Sequence, residues 1–209
     1  MIYIYAQALI SFREGFEAAI LVAIISSYLR KIGEDRLVPP LIIGSMGGVL
    51  LSMLTGILIY SFYTTAQVGE LIEASSSFIA VLVLTSVIYW MNKKGGRIKQ
   101  EIEMKTKEAV ERKSVLPIAI LGFIVVFREG VETVLFTLPL IFAEPWSTFI
   151  GVFSGILFSV VLAYLVFKGG MKLSLKKFFQ LTSLLLIFVA SGILGYGVHE
   201  LIEYGEEKG

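Results

Sequence analysis

Cysteine is absent from this 209-residue sequence, and histidine occurs once, as His199. Without cysteine the chain can form no disulfide and no thiolate metal site, and it has no dithiol redox motif. The single histidine also excludes a histidine-rich metal centre. Soft and borderline metals prefer sulfur and imidazole ligands. If this chain binds a metal, we therefore expect oxygen ligands and a hard cation.

Charged residues are missing from four long stretches, and 56% of all residues are hydrophobic. A helix needs about 20 apolar residues to cross about 30 Å of hydrocarbon. The uncharged stretches are residues 37–69, 74–92, 145–167 and 178–198. The pattern predicts an all-α integral membrane protein with six transmembrane helices. We place them at residues 2–30, 38–62, 70–92, 115–143, 146–168 and 178–203.

Basic residues are concentrated in three of the five connections between these helices. Fifteen of the 18 lie in just three segments, 30–36, 93–114 and 168–177. Because basic loops face the cytoplasm, we expect these segments inside, both termini outside, and a multi-pass protein of the plasma or inner membrane. Segment 93–114 is a charged cytoplasmic linker, either solvated or forming a short amphipathic helix. It separates a first repeat, 1–92, from a second, 115–209.

Two short sequences occur twice. SFREGFEAAI at 11–20 resembles VFREGVETVL at 126–135, and IGSMGGVLLS at 43–52 resembles IGVFSGILFS at 150–159. Each half holds three helices, and because three is odd the halves have opposite orientations. The sequence thus predicts two inverted three-helix repeats, which in transporters place the substrate site near the membrane midplane. The repeated small residues favour close helix packing, within one chain or in a homo-oligomer.

The first repeated sequence places three charged residues at the middle of each of two apolar helices. If these six groups faced lipid, the cost would be on the order of 15–20 kcal/mol, so they face each other or a water-filled path. Glutamates at i and i+3 share a helix face, and an arginine can pair with a glutamate at i+4. The glutamates are candidate metal ligands, the arginines supports, and the glycines allow close helix approach. The set is Arg13, Glu14, Gly15, Glu17, Arg128, Glu129, Gly130 and Glu132.

Two further Glu-x-x-Glu pairs lie at helix ends on the expected outer side. They are Glu70 with Glu73 and Glu200 with Glu203. An arriving cation would meet these carboxylates first, so we include all four as candidate ligands. His199 lies four residues before Glu203 and is a candidate support.

The buried charges permit other interpretations. An Arg–Glu network can hold two helices together without any ligand, and intramembrane glutamates also relay protons. A transporter of divalent Fe²⁺, Mn²⁺ or Pb²⁺ would use the same carboxylates. A membrane di-iron oxidase would normally carry Glu-x-x-His motifs on bundle helices, whereas His199 lies at a helix end.

The duplicated Arg-Glu-Gly-x-Glu motif, at 13–17 and 128–132, resembles that of the ferric iron permeases of oxidase-dependent iron transport. ELIEA at 70–74 and GVHELIE at 197–203 also look like segments of that family, so the resemblance covers nearly the whole chain. It implies transport of Fe³⁺, with the glutamates as ligands and the arginines as supports. It implies no enzymatic activity, no organic cofactor and no nucleic acid. The implied partner is an external iron oxidase or iron-delivery protein, and many relatives carry a seventh helix.

Overall fold

The computed structural model describes residues 2–66, 70–94, 98–112, 114–168 and 175–208. Within these ranges the chain is helical almost throughout, and all six predicted segments are helical. A short 3-10 helix, Asp35–Leu37, precedes the second α-helix. The α-helices are α1 Ile2–Lys31, α2 Val38–Ala66, α3 Glu70–Lys94, α4 Ile98–Glu111, α5 Leu116–Ala143, α6 Pro145–Lys168 and α7 Leu175–Lys208.

Proline and glycine set two of the helix ends. Pro145 begins α6, where the missing backbone N–H costs no hydrogen bond. α1 ends at Lys31 because the chain turns at Gly33, whose φ of 78° is a left-handed conformation that glycine adopts readily. The backbone amide of Glu34 then donates to the carbonyl of Leu29 at 2.9 Å, which closes the helix end.

Among the described residues, three helical segments are long and apolar enough to cross a membrane. They are Asp35–Phe62, Pro145–Val166 and Gln180–Glu206. α1 and α5 carry charges at their centres, and the apolar part of α3, Glu73–Tyr89, is shorter. The helices agree with the predicted all-α membrane protein. The count of six spans and the outer position of both termini stay predictions.

Hydroxyl groups on the surface of the bundle bond within their own helices. Thr85 of α3 donates to the carbonyl of Val81 at 2.7 Å, and Ser191 of α7 donates to that of Ile187 at 2.9 Å. Such bonds satisfy polar groups without water, as a hydrocarbon environment requires. The surface of these helices is therefore compatible with lipid.

The helices of the two halves pair reciprocally. α1 packs along α6, α2 along α5 and α3 along α7, and α1 also contacts α5. The first helix of each half thus packs against the second helix of the other half. α1 and α5 are antiparallel, because Leu29 near the end of α1 clusters with Ile118 near the start of α5, whereas Ile10 clusters with Leu140.

Matching glycines line the two equivalent interfaces. A Cβ built on Gly48 of α2 would lie 2.7 Å from the carbonyl oxygen of Phe123 in α5. A Cβ built on Gly155 of α6 would overlap the carbonyl oxygen of Ala8 in α1. Gly48 and Gly155 are 107 positions apart, as are the two small-residue sequences, and Ala8 and Phe123 are 115 apart, as are the two charged motifs. The second interface therefore repeats the first.

The charged linker contains α4, an amphipathic helix. Ile98, Ile102 and Ala109 of α4 are buried in one apolar cluster with Leu29 of α1 and Ile118 of α5. Of the two alternatives for the linker, a solvated segment or an amphipathic helix, the structure thus contains the helix. This helix packs against the end of α1 and the start of α5. The cytoplasmic position of this linker and the division of the chain into two repeats stay predictions.

Candidate metal centre

The two charged motifs meet between α1 and α5. Arg13, Glu14, Glu17 and Glu129 are each at most 4% exposed. Carboxylate oxygen atoms of Glu14, Glu129 and Glu132 all lie within 4.8 Å of one another. One of these residues comes from α1 and two come from α5. The antiparallel contact therefore builds a three-carboxylate cluster, consisting of Glu14, Glu129 and Glu132, of which the first two are buried.

Each motif contains the arginine–glutamate pair that helical spacing predicts. Arg128 Nε lies 2.9 Å from Glu132 Oε1, and Arg13 Nη2 lies 3.7 Å from Glu17 Oε2. Arg13 also pairs with its neighbour Glu14. The surroundings differ, because the side chain of Arg13 is fully buried whereas that of Arg128 is 50% exposed. Removing one partner of a buried ion pair costs about 3–5 kcal/mol. The stability of the α1 motif therefore depends more on its own ion pairs than that of the α5 motif does.

The fourth motif carboxylate lies beside the three-carboxylate cluster rather than in it. Glu17 is buried near Arg13. Glu129, by contrast, is only loosely paired, with its Oε1 3.9 Å from Arg128 Nε, while Arg128 has a closer partner in Glu132. An arginine therefore holds Glu129 less closely than it holds Glu14 or Glu132. The assignment of all four motif glutamates as ligands stays a prediction.

Gly15 and Gly130 each lie against a helix that carries neither motif. Gly15 of α1 packs against α6, and Gly130 of α5 packs against α2. A Cβ on Gly15 would lie 2.5 Å from Ser159 Oγ of α6, and a Cβ on Gly130 would lie 2.5 Å from Ser52 Cβ of α2. The glycines therefore seat the back of each motif helix against a neighbour. This contact sets the rotation of α1 and α5, so that their carboxylates point toward each other.

A second group of polar side chains lies between α3 and α7. The hydroxyl of Tyr196 donates to Glu73 Oε2 at 2.6 Å and also interacts with Glu200, which is 9% exposed. Tyr196 thus joins a carboxylate from each half. Tyr196 is missing from the residues singled out in the sequence, although it lies four positions before Glu200 on the same helix face.

The remaining candidate residues of the outer side are His199, Glu203 and Glu70. His199 and Glu203 lie at the surface. His199 Nε2 is 3.8 Å from Glu203 Oε2, and both side chains are more than half exposed. The side chain of Glu70, the first residue of α3, lies outside the described part of the structure. Metal binding by Glu70, Glu73, Glu200 and Glu203, and support by His199, stay predictions.

Tyr196→Phe is expected to destabilise the contact between α3 and α7. The change removes a hydrogen bond to a carboxylate, an interaction that contributes about 1.5–3 kcal/mol. The melting temperature of the purified protein in one detergent measures the effect. Tyr89→Phe is the matched control, because Tyr89 also lies in a long helix and is 69% exposed. Equal melting temperatures for the two variants would contradict a stabilising role for Tyr196.

Comparisons with known proteins identify a family and relatives that match nearly the whole chain. Residues 4–209 match the model of the Iron permease FTR1 family. The chain is 37% identical over 211 residues to an uncharacterized protein of Archaeoglobus fulgidus, covering 100% of this chain and 74% of that protein. It is 32% identical over 209 residues to the ferrous iron permease EfeU of Escherichia coli, covering 96% and 75%. The protein of the same name in Yersinia pestis is 31% identical over 208 residues, with 96% and 73% covered. No solved structure matches the chain significantly.

Proposed function

The chain belongs to the iron permease FTR1 family and is a multi-pass membrane protein, and on that premise we propose that it moves Fe³⁺ across the cell membrane. The observation that carries the proposal is the three-carboxylate cluster between α1 and α5. Ionisable groups inside a membrane protein are costly and mark ion pathways and relays. The iron passes through this cluster, with Glu17 as the fourth carboxylate and the arginines as supports.

The chemistry of the cluster suits a hard, highly charged cation. Carboxylate oxygens are the available ligands, since the sequence offers no thiolate and its one histidine lies elsewhere. The four motif glutamates and two arginines carry a formal charge of −2. Bound Fe³⁺ changes this charge to +1. That change favours rearrangement of the ion pairs of Arg13 and Arg128, or proton release, as part of transport.

The reciprocal packing of the helices supports an inverted repeat. In transporters of that kind the substrate site lies between the halves, which rock or gate around it. We propose six membrane spans with both termini outside, so that segment 93–114 lies in the cytoplasm. The outer carboxylates, Glu73 and Glu200, then collect the cation. An external iron oxidase or iron-delivery protein supplies it.

A second candidate cargo is Fe²⁺. The Escherichia coli and Yersinia pestis relatives are named ferrous iron permeases. The motif charge of −2 would also be neutralised by a divalent ion, which favours its burial at low dielectric. Both cargoes would use the same carboxylates, so the choice between them requires a transport measurement.

Uptake into proteoliposomes of purified protein separates these cargoes. We expect saturable entry of Fe³⁺, supplied as its citrate chelate, that excess Mn²⁺ does not suppress. Protein-free vesicles are the control for leak. Entry of Fe²⁺ alone, under anaerobic conditions, would replace the ferric cargo by the ferrous one. If no iron enters in either form, with or without an added ferroxidase, the transport proposal is wrong. Oxygen consumption with Fe²⁺ would instead support the oxidase alternative.

A further inference from the structure

The two sides of the three-carboxylate cluster carry different polar residues. Ser26 and Ser45 are buried on the side that contains α4, and a larger set lies on the side where α1 begins. The repeat aligns α1 with α5 at a separation of 115 residues and α2 with α6 at 107. Five polar residues on one side of the cluster have an apolar residue or glycine as the repeat equivalent on the other side. The pairs are Gln7 with Gly122, Ser11 with Val126, Thr133 with Ala18, Thr137 with Val22 and Thr148 with Leu41.

The five polar residues share one end of the bundle. Because α1 and α5 are antiparallel, the start of α1 lies beside the end of α5. The amide of Gln7 donates to Thr148 Oγ1 of α6, and this hydroxyl lies 2.9 Å from the carbonyl oxygen of Leu140 in α5. This chain of hydrogen bonds joins α1, α6 and α5 at that end.

Gln7, Ser11 and Glu14 follow one another on one face of α1. Their spacing of i, i+4 and i+7 places them in a row about 10 Å long. Each residue is at most 1% exposed, and Gln7 Oε1, Ser11 Oγ and Glu14 Oε2 have no hydrogen-bond partner among the described residues. An unpaired buried oxygen costs about 1–3 kcal/mol. Three such oxygens in a row that ends at the carboxylates therefore favour a polar occupant, such as water or a cation.

The same face of α1 becomes apolar beyond the motif. Leu21 and Ile25 pack with Ile118 and Val125 of α5 and with Ile102 of α4 in one apolar cluster. This cluster offers a cation no ligand, and a hydrated ion would have to lose its water among hydrocarbon side chains. This face of α1 therefore offers a cation no polar path toward α4 in this conformation.

We propose that Gln7 and Ser11 form a polar access path, along which iron reaches Glu14 from the end of the bundle where α1 begins. The inference rests on the proposed iron transport and assigns a route to it. The neutral amide and hydroxyl oxygens replace part of the hydration shell of the ion without holding it tightly. The charged cluster then binds the ion, and the apolar cluster with α4 blocks its exit until the protein changes conformation.

The lack of cysteine makes this route accessible to thiol labelling without background. Ser11→Cys and Val126→Cys are a matched pair, since the two positions are repeat equivalents beside the motifs. A small cationic methanethiosulfonate reagent is added to each side of vesicles that hold the protein. Ser11→Cys is expected to react at least about tenfold faster than Val126→Cys, from the side on which α1 begins. Iron added beforehand is expected to slow the reaction of Ser11→Cys and leave that of Val126→Cys unchanged.

A second variant tests the path by transport. Gln7→Leu retains most of the side-chain volume but removes the oxygen, so it is expected to lower iron uptake about tenfold while the protein still binds iron at equilibrium. Gln180→Leu, at an exposed position of α7, is the matched control. A purely structural role of Gln7 would lower uptake and binding together.

The outcomes distinguish the path from the proposed function. Equal reaction rates for the two cysteine variants would overturn the path, whereas iron uptake by the unmodified protein would still support iron transport. A rate contrast without iron protection and without iron uptake would support a polar path while the iron proposal fails. Normal uptake by Gln7→Leu would overturn the role of Gln7.

Discussion

Glu129→Gln is expected to abolish iron uptake. Glu129 is 3% exposed and belongs to the three-carboxylate cluster, and its charge is only loosely paired with Arg128. Mutation of groups that merely support metal ligands already costs about 10–100-fold, so loss of a ligand should lower uptake at least about 100-fold. The variant also preserves the fold, because Arg128 retains Glu132 at 2.9 Å. Glu14→Gln is less suitable, since it would weaken the pairing of the fully buried Arg13.

The measurement compares initial rates of iron uptake in proteoliposomes and the iron bound per purified protein. Glu108→Gln is the matched control, because it makes the same chemical change at an exposed position of α4. Uptake at the unmodified rate by Glu129→Gln would exclude the cluster as the transport site. Loss of uptake in Glu108→Gln as well would show that the assay responds to something other than the cluster.

Gly48→Ala and Gly155→Ala are expected to destabilise the protein. In an ordinary helix, Gly→Ala stabilises by about 1 kcal/mol. Here the added Cβ would lie 2.7 Å from the carbonyl oxygen of Phe123, or overlap that of Ala8. Both neighbours are backbone atoms, so the paired helices must move apart. Overpacking of this kind costs about 1–3 kcal/mol, and separation of α1 from α6 would also shift the carboxylates.

Thermal unfolding in a single detergent tests the sign of this effect. Gly192→Ala is the matched control, since a Cβ at Gly192 of α7 would meet no atom within 4 Å. We expect a higher melting temperature for Gly192→Ala and lower ones for the two interface variants. An increase for all three variants would refute the close packing of α2 with α5 and of α1 with α6.

The sequence allowed the helices and the meeting of the two charged motifs to be predicted. Long uncharged stretches specify helices by composition alone, and charges within such helices must find partners wherever the chain folds. The ion pair of Arg128 with Glu132 also follows from helical spacing. The pairing of the helices could not be predicted from the sequence, because a glycine such as Gly15 indicates close packing but does not identify the neighbouring helix. Tyr196 and Gln7 were missed because their partners, Glu73 and Thr148, lie on other helices.

The sequence by itself determined that this protein is built of apolar helices, that it contains a repeat, and that carboxylates are its candidate metal ligands. Each of these follows from residue type and local spacing. Only the tertiary structure decided that Glu14, Glu129 and Glu132 converge while Glu17 stays beside Arg13. It also placed the unpaired oxygens of Gln7 and Ser11 in line with the cluster. The physical reason is that contacts between helices depend on their rotation and relative position, which are set by packing against third helices and not by any local pattern.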